Sequence, residues 1–123
     1  MTGDELVTRA EAAAANAYAP YSDYLVGATL LLKDGRVFDG VNVENAAYPL
    51  GVCAERTAIA KAASEGVRPG DIDAIGITAS PCGGCRQWLH EWKIERVYFR
   101  RADGSIAEYA PASELLPDAW DLP

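Results

Sequence analysis

The chain has 123 residues, half of them apolar and 24% charged, with a formal charge of −7 and a pI near 4.6. That length supports one domain with a real core, residues 1–123, and is too short for two. The acidic balance, with no cluster of Lys or Arg to offset it, excludes a nucleic acid polymer as the expected partner, and the absence of a long apolar run excludes a membrane span.

Thr2 and Glu5 have capping-box spacing, so a helix is predicted to start there. Leu6, Val7, Ala10, Ala13, Ala14 and Ala17 recur at helical spacing and form a stripe of small side chains, with Pro20, between Tyr18 and Tyr21, as the expected stop. Gly27 to Lys33 is predicted as a buried strand and Val37 to Val43 as its return, joined through Asp34-Gly35 in a type I′ turn. The return strand runs out into Asn42-Val43-Glu44-Asn45, a polar group with no evident structural task.

Cys53 opens a second helix that runs to about Glu65, where Gly66 and Pro69 end it. Ile72 to Ala79 is a buried strand, and helical character resumes from Cys85 to Trp92. Arg96 to Arg101 and Ser105 to Tyr109 are strands around an Asp103-Gly104 turn, and Pro111 to Leu116 fits one helical turn. A hairpin followed by strands that alternate with helices defines an α/β layered domain with a mixed sheet.

All three cysteines lie in two short blocks, Cys53-Ala54-Glu55 and Pro81-Cys82-Gly83-Gly84-Cys85, each at a loop-to-helix junction. An odd count that includes C-x-x-C reads as metal or redox chemistry rather than a disulfide framework, and Met1 to Glu5 is neither a basic nor an apolar leader, so a cytoplasmic protein is expected. Cys53 and Glu55 point to nearly opposite sides in a helix interior; they converge only if Cys53 sits at the helix start. Three thiols without a nearby fourth ligand leave one position of a zinc tetrahedron open, as catalytic sites do; the only histidine, His90, lies a turn and a half beyond Cys85. Helix N-termini favour the thiolates. Arg56 is placed to offset their charge by hydrogen bonding to a ligand sulfur. Glu55, beside an activated water, has the chemistry to take its proton, leave hydroxide to attack an amidine carbon, and return protons to the ring nitrogen and the departing amine. This is hydrolytic deamination. A zinc module without turnover is the reading from another class, and it would have little reason to carry Glu55.

The two cysteine blocks match the signature of zinc-dependent base deaminases. With Tyr21-Ser22, Val26-Gly27-Ala28, Asn42-Val43-Glu44-Asn45-Ala46, Cys53 to Ala58, Pro81 to Gln87 and Leu115 to Trp120, the chain resembles the cytidine deaminase family in its small homotetrameric form, over nearly its whole length. The resemblance implies a three-layer α/β/α sandwich with a five-stranded mixed sheet. It implies one Zn²⁺ per chain on Cys53, Cys82 and Cys85, with Glu55 as proton shuttle. Asn42 and Glu44 would bind the ribose hydroxyls, the N–H of Ala54 the base carbonyl, and the carbonyl of Ser80 the exocyclic amine. Active sites would be shared within a homotetramer, with the Ala-rich second helix suited to close packing there.

The chain departs from the family's pattern at several places. Tyr24-Leu25 stands where the family usually has Phe-Pro lining the nucleoside pocket. The segment before Pro81 is shorter than usual, so a missing pocket wall is expected. Trp120 stands where a phenylalanine from another subunit often stacks on the base, and Trp88 and Trp92 make the third helix more aromatic than is common. Cytidine and deoxycytidine are the expected substrates, and a modified cytosine nucleoside of the blasticidin type is the alternative. A nucleotide is disfavoured by the charge and by the lack of a Gly-rich phosphate loop.

Overall fold

A computed structural model describes residues 1–123. Helix α1 spans Gly3–Ala14 and starts on the capping box that the sequence predicts. The Glu5 N–H donates to Thr2 Oγ1 at 3.1 Å, and the Thr2 N–H to Glu5 Oε1 at 3.0 Å. The helix stops short of both Ala17 and Pro20, because the Tyr18 backbone is recruited elsewhere. Its N–H donates to the Asn42 carbonyl and its carbonyl accepts from the Glu44 N–H.

Strand β1 (Gly27–Leu32) and strand β2 (Val37–Val41) pair antiparallel. Their turn differs from the predicted type I′. Only Gly35 has a positive φ, 93°, while the Gly35 N–H donates to the Leu32 carbonyl and the Leu32 N–H to the Arg36 carbonyl. Lys33, Asp34 and Gly35 thus form a three-residue loop closed by a left-handed glycine, and Asp34 is spared the positive φ that a two-residue loop would impose on it. A single 3₁₀ turn at Tyr48–Leu50, unforeseen in the sequence, leads to helix α2 (Ala54–Ser64). Strand β3 (Ile72–Ile77) is followed by helix α3 (Gly83–Glu91), strands β4 (Arg96–Arg100) and β5 (Ile106–Tyr109), and a 3₁₀ turn at Ala112–Leu115.

The sheet order is β2-β1-β3-β4-β5, with β3 and β4 parallel and the other neighbours antiparallel. The five-stranded mixed sheet is therefore as expected. Side-chain alternation divides its two faces. Leu6 and Val7 of α1 pack with Ala74 and Tyr98 on one side. On the other, Ala54, Ala58 and Ile59 of α2 and Leu89 of α3 pack with Leu30, Ile75, Val97 and other residues in the larger core. The result is three layers, α/β/α.

Two close approaches fix the helices to the sheet. A Cβ on Gly76 would lie 2.6 Å from the carbonyl carbon of Leu6, and one on Gly40 would lie 2.6 Å from the Ala54 carbonyl oxygen and 2.7 Å from Ala58 Cβ. No helix is long and apolar enough to cross a membrane. Because Gly40 sets the seat of the helix that carries Cys53 and Glu55, Gly40→Ala is expected to cost about 1–3 kcal/mol through overpacking. Urea unfolding checks it, and an unchanged midpoint would mean α2 is not seated there.

Candidate active site

Four chain segments end at one edge of the sheet. Pairing of Gly27 with Val41, Ala28 with Ile77 and Ile77 with Phe99 places the start of β1 and the ends of β2, β3 and β4 together. The N-termini of α2 and α3 meet above this edge, because Cys53 and Cys82 are their N-caps, both with extended backbone (φ −73° and −69°). This corrects two sequence expectations. Cys53 stands just outside the helix rather than opening it, and α3 begins at Gly83, so Cys85 lies in its first turn. The N-cap geometry resolves the facing problem for Cys53 and Glu55, since an N-cap side chain is free of the helical period.

The three thiols form one cluster, with sulfur atoms all within 4.8 Å of one another and Cys53 Sγ 4.0 Å from Cys82 Sγ. Zn–S bonds of about 2.3 Å set tetrahedral sulfurs about 3.8 Å apart, so the cluster has the dimensions of a zinc centre. Cys82 is exposed, Cys53 half-buried and Cys85 buried. Burial works against the Cys82 thiolate but is outweighed by the Cys85 N–H, contacts with the Cys85 and Cys53 thiols, and the Gly84 N–H; its pKa is lowered. Burial, then the charges of Glu55 and Cys53, push the Cys85 thiol well up.

Arg56 Nη2 donates to Cys53 Sγ at 3.1 Å, as the sequence placed it. This bond, and the charges of Cys53 and Cys85, raise the arginine's pKa against the cost of burial. Its Nε is buried with no partner. A guanidinium with a spare donor held against thiol sulfurs suits a centre of net negative charge, as three thiolates on Zn²⁺ would make. The donor set fits zinc.

Glu55 is 3% exposed and belongs to no ion pair. Burial raises its pKa, opposed by its own backbone N–H, the Cys85 thiol and Arg56. It opens onto a cavity of ≈ 610 Å³ that is also lined by Tyr24, Asn42, Glu44, Cys53, Ala54, Ser80 and Cys82. Every predicted substrate contact therefore reaches this space except Trp120. That residue is 65% exposed and borders a shallow recess with Trp88 on α3 and Trp92 just past its end.

The polar group at Asn42–Asn45 has a structural task after all. Asn42 Oδ1 accepts from the Val26 N–H and Nδ2 donates to the Tyr24 carbonyl, both at 2.8 Å. Glu44 Oε1 accepts from the N–H groups of Tyr21 (2.9 Å) and Ser22 (3.1 Å), and Oε2 from the Ser22 hydroxyl. The Ser22 hydroxyl and then these N–H groups hold the half-buried Glu44 carboxyl below its usual range, desolvation notwithstanding. The Asn42 amide keeps one donor and one acceptor site and the Glu44 carboxylate one acceptor site, and both residues line the cavity.

Three features escaped the sequence. Arg86 ties the second cysteine turn together, donating to the Pro81 carbonyl (2.9 Å), the Leu115 carbonyl (3.1 Å) and Ser80 Oγ (3.2 Å). Ser22 is the capping partner of Glu44. Thr78, Ala79 and Arg100 to Ala102 form the wall that the short segment before Pro81 was expected to leave missing. A surface arginine after a cysteine and a double arginine at a strand end carry no signal by themselves.

A three-layer α/β/α fold with three thiols at two helix N-termini and a buried glutamate beside them defines a zinc-dependent deaminase fold. The model of the cytidine and deoxycytidylate deaminase zinc-binding region matches residues 2–101. A cytidine deaminase of Halalkalibacterium halodurans is 47% identical over 128 aligned positions, covering 98% of this chain and 95% of the relative. One from Mycobacterium tuberculosis is 45% identical over 114 positions, covering 89% and 83%. The crystal structure of cytidine deaminase from Burkholderia pseudomallei superposes with a TM-score of 0.89 at 43% identity, covering 98% and 100%. The chain belongs to the cytidine and deoxycytidylate deaminase family, whose members bind zinc.

Zinc binding must displace the proton that the raised Cys85 pKa keeps on its thiol at neutral pH. Apparent zinc affinity is expected to rise with pH, about tenfold per unit for each proton released. Competition against a chromophoric chelator between mildly acidic and mildly alkaline pH measures the slope, and a pH-independent affinity would contradict it.

Proposed function

We propose that the whole chain, as one catalytic domain, hydrolyses the 4-amino group of cytidine and deoxycytidine, giving uridine or deoxyuridine and ammonia. The observation that carries this is Glu55, buried without an ion-pair partner beside the three-thiol cluster and opening into the cavity. Cys53, Cys82 and Cys85 hold the zinc. When bound there, the metal supplies Lewis acidity that makes water a nucleophile near neutral pH.

The protein's own groups do the rest. Glu55 takes the proton of the attacking water and delivers it to the ring nitrogen next to the reacting carbon. As the C–N bond breaks, Glu55 carries the second proton to the departing ammonia and the new C–O bond becomes the carbonyl of the product. The raised pKa given to it by burial suits a group that must both hold and release a proton. The N–H of Ala54, one of the unpaired donors at the start of α2, holds the base carbonyl, and the Ser80 carbonyl accepts the amine. The remaining capacity of Asn42 and Glu44 binds the ribose hydroxyls, and Tyr24 covers the sugar. Arg56 moderates the charge on the sulfurs.

The surface near the cavity supports an assembly of several chains. Tyr24 on the cavity lining, and Tyr21 and Tyr48 on an adjoining recess that shares Ser22 and Glu44 with it, are 61%, 56% and 82% exposed. Apolar surface this concentrated beside a site is expected to be covered by other copies of the chain. The functional unit is a homotetramer in the cytoplasm, in which Trp120 of one subunit stacks on the base in another.

Glu55→Gln is expected to keep one zinc per chain while ammonia release from cytidine falls by about 10²–10⁴ or more. Normal turnover by this variant would remove Glu55 from the chemistry. Light scattering is expected to give four chains per particle, and a fully active monomer would overturn the shared site.

A further inference from the structure

The cavity wall beyond Ser80 contains a cation that the deamination reaction does not use. Only Thr78, Ala79 and Ser80 separate the end of β3 from Pro81, so the neighbouring strand end, Arg100 to Ala102, comes to the cavity. The two arginines differ in what holds them. Arg100 lies on the α1 side with Tyr98, and its guanidinium donates to Glu11 Oε1 and to the Gly104 carbonyl, both at 2.9 Å. Alternation along the chain puts Arg101 on the opposite side with Phe99. Its guanidinium has one long contact, Nη1 to Ser105 Oγ at 3.5 Å, and no carboxylate within ion-pair distance. The nearby Asp103 is already engaged by the Ser105 N–H and hydroxyl, at 2.9 and 2.6 Å.

Elsewhere the arginines are committed. Arg9 and Arg96 pair with Asp39 and Asp73, Arg36 with Asp34, Arg86 and Arg68 reach backbone carbonyls, and Arg56 reaches the Cys53 sulfur. In a chain of charge −7, the one uncommitted guanidinium stands exposed at the cavity rim. Guanidinium forks recognise carboxylate and phosphate through paired, charge-assisted hydrogen bonds.

We propose that Arg101 is a specificity-determining residue that takes an anionic group carried by the cytosine nucleoside. This rests on the deaminase reading above. Ser80, on the same wall, is at the amine end of the site, whereas Glu44 places negative charge at the ribose end. The arrangement therefore favours a carboxylate on base carbon 5, next to the carbon that bears the amine, over a phosphate on the sugar.

The test compares kcat/KM of the zinc-loaded, full-length protein for cytidine, 5-carboxycytidine and cytidine 5′-monophosphate, in wild type, Arg101→Gln and Arg101→Lys. Wild type is expected to process 5-carboxycytidine at least as well as cytidine. The anionic-to-neutral ratio should fall on the order of ten- to a hundredfold in Arg101→Gln and by less in Arg101→Lys. Preference for the monophosphate with the same Arg101 dependence would identify phosphate as the source of the anion. Rejection of both anionic substrates by wild type, or the same ratio in Arg101→Gln, overturns the proposal. Calorimetry with uridine and 5-carboxyuridine reads the same discrimination without turnover. If cytidine is not deaminated but Arg101 still discriminates in binding, the deaminase reading fails and the anion site stands; loss of discrimination there overturns the site itself.

Discussion

The structure depends on the meeting of two helix N-termini at one edge of the sheet. Cys53 and Cys82 are the N-caps of α2 and α3, and Cys85 lies in the first turn of α3, so all three sulfurs gather where backbone N–H groups are unpaired and point outward. Three thiols packed this closely repel one another as thiolates. The helix ends and Arg56 supply the compensating positive potential, and a divalent cation completes it. Everything else positions these two helix ends. Gly40 lets α2 seat against β2, and Arg86 holds the turn before α3 to the Leu115 carbonyl. The short Thr78–Ser80 link carries the chain from sheet to helix.

Around that centre, polar groups are held before any substrate arrives. Asn42 and Glu44 each spend part of their hydrogen-bonding capacity on the loop from Tyr21 to Val26 and keep the rest unpaired at residues that line the cavity. One pair of side chains thus shapes the rim and presents it, so little ordering is left for binding. Glu55 is set up differently. Burial outweighs its contacts with its own backbone N–H, the Cys85 thiol and Arg56, which leaves its carboxylate costly to keep charged.

The C-terminal tail is fastened to the helix that bears two of the thiols. Gln87 donates to the Trp120 carbonyl at 3.0 Å, and His90 Nε2 meets Asp121 Oδ1 at 2.7 Å. Together with Arg86 these residues occupy one stretch of α3, so the place of Trp120 is tied to the helix that carries Cys82 and Cys85. The tryptophan side chain itself stays exposed at the outer surface.

The sequence by itself determined the chemistry and the order of elements. The capping box, the hairpin, the mixed α/β order, the cysteine blocks, Glu55 and Arg56 were all legible, because each depends on residue types at short, fixed spacing. What it could not supply were contacts between residues far apart in the chain. The Asp34-Gly35 turn took a three-residue loop because strand register, set by the β1–β2 pairing, decides where a turn closes. The helix α1 stopped at Ala14 because Tyr18 was needed against Val43, a partner twenty-five residues away. Asn42 and Glu44 read as idle because their partners, Val26, Tyr24 and Ser22, are neighbours only in the folded chain. The same holds for Arg101. Its sequence neighbours make it an ordinary strand-end arginine, and only the sheet order, which sets β4 beside the short β3 exit, brings it to the cavity without a carboxylate of its own.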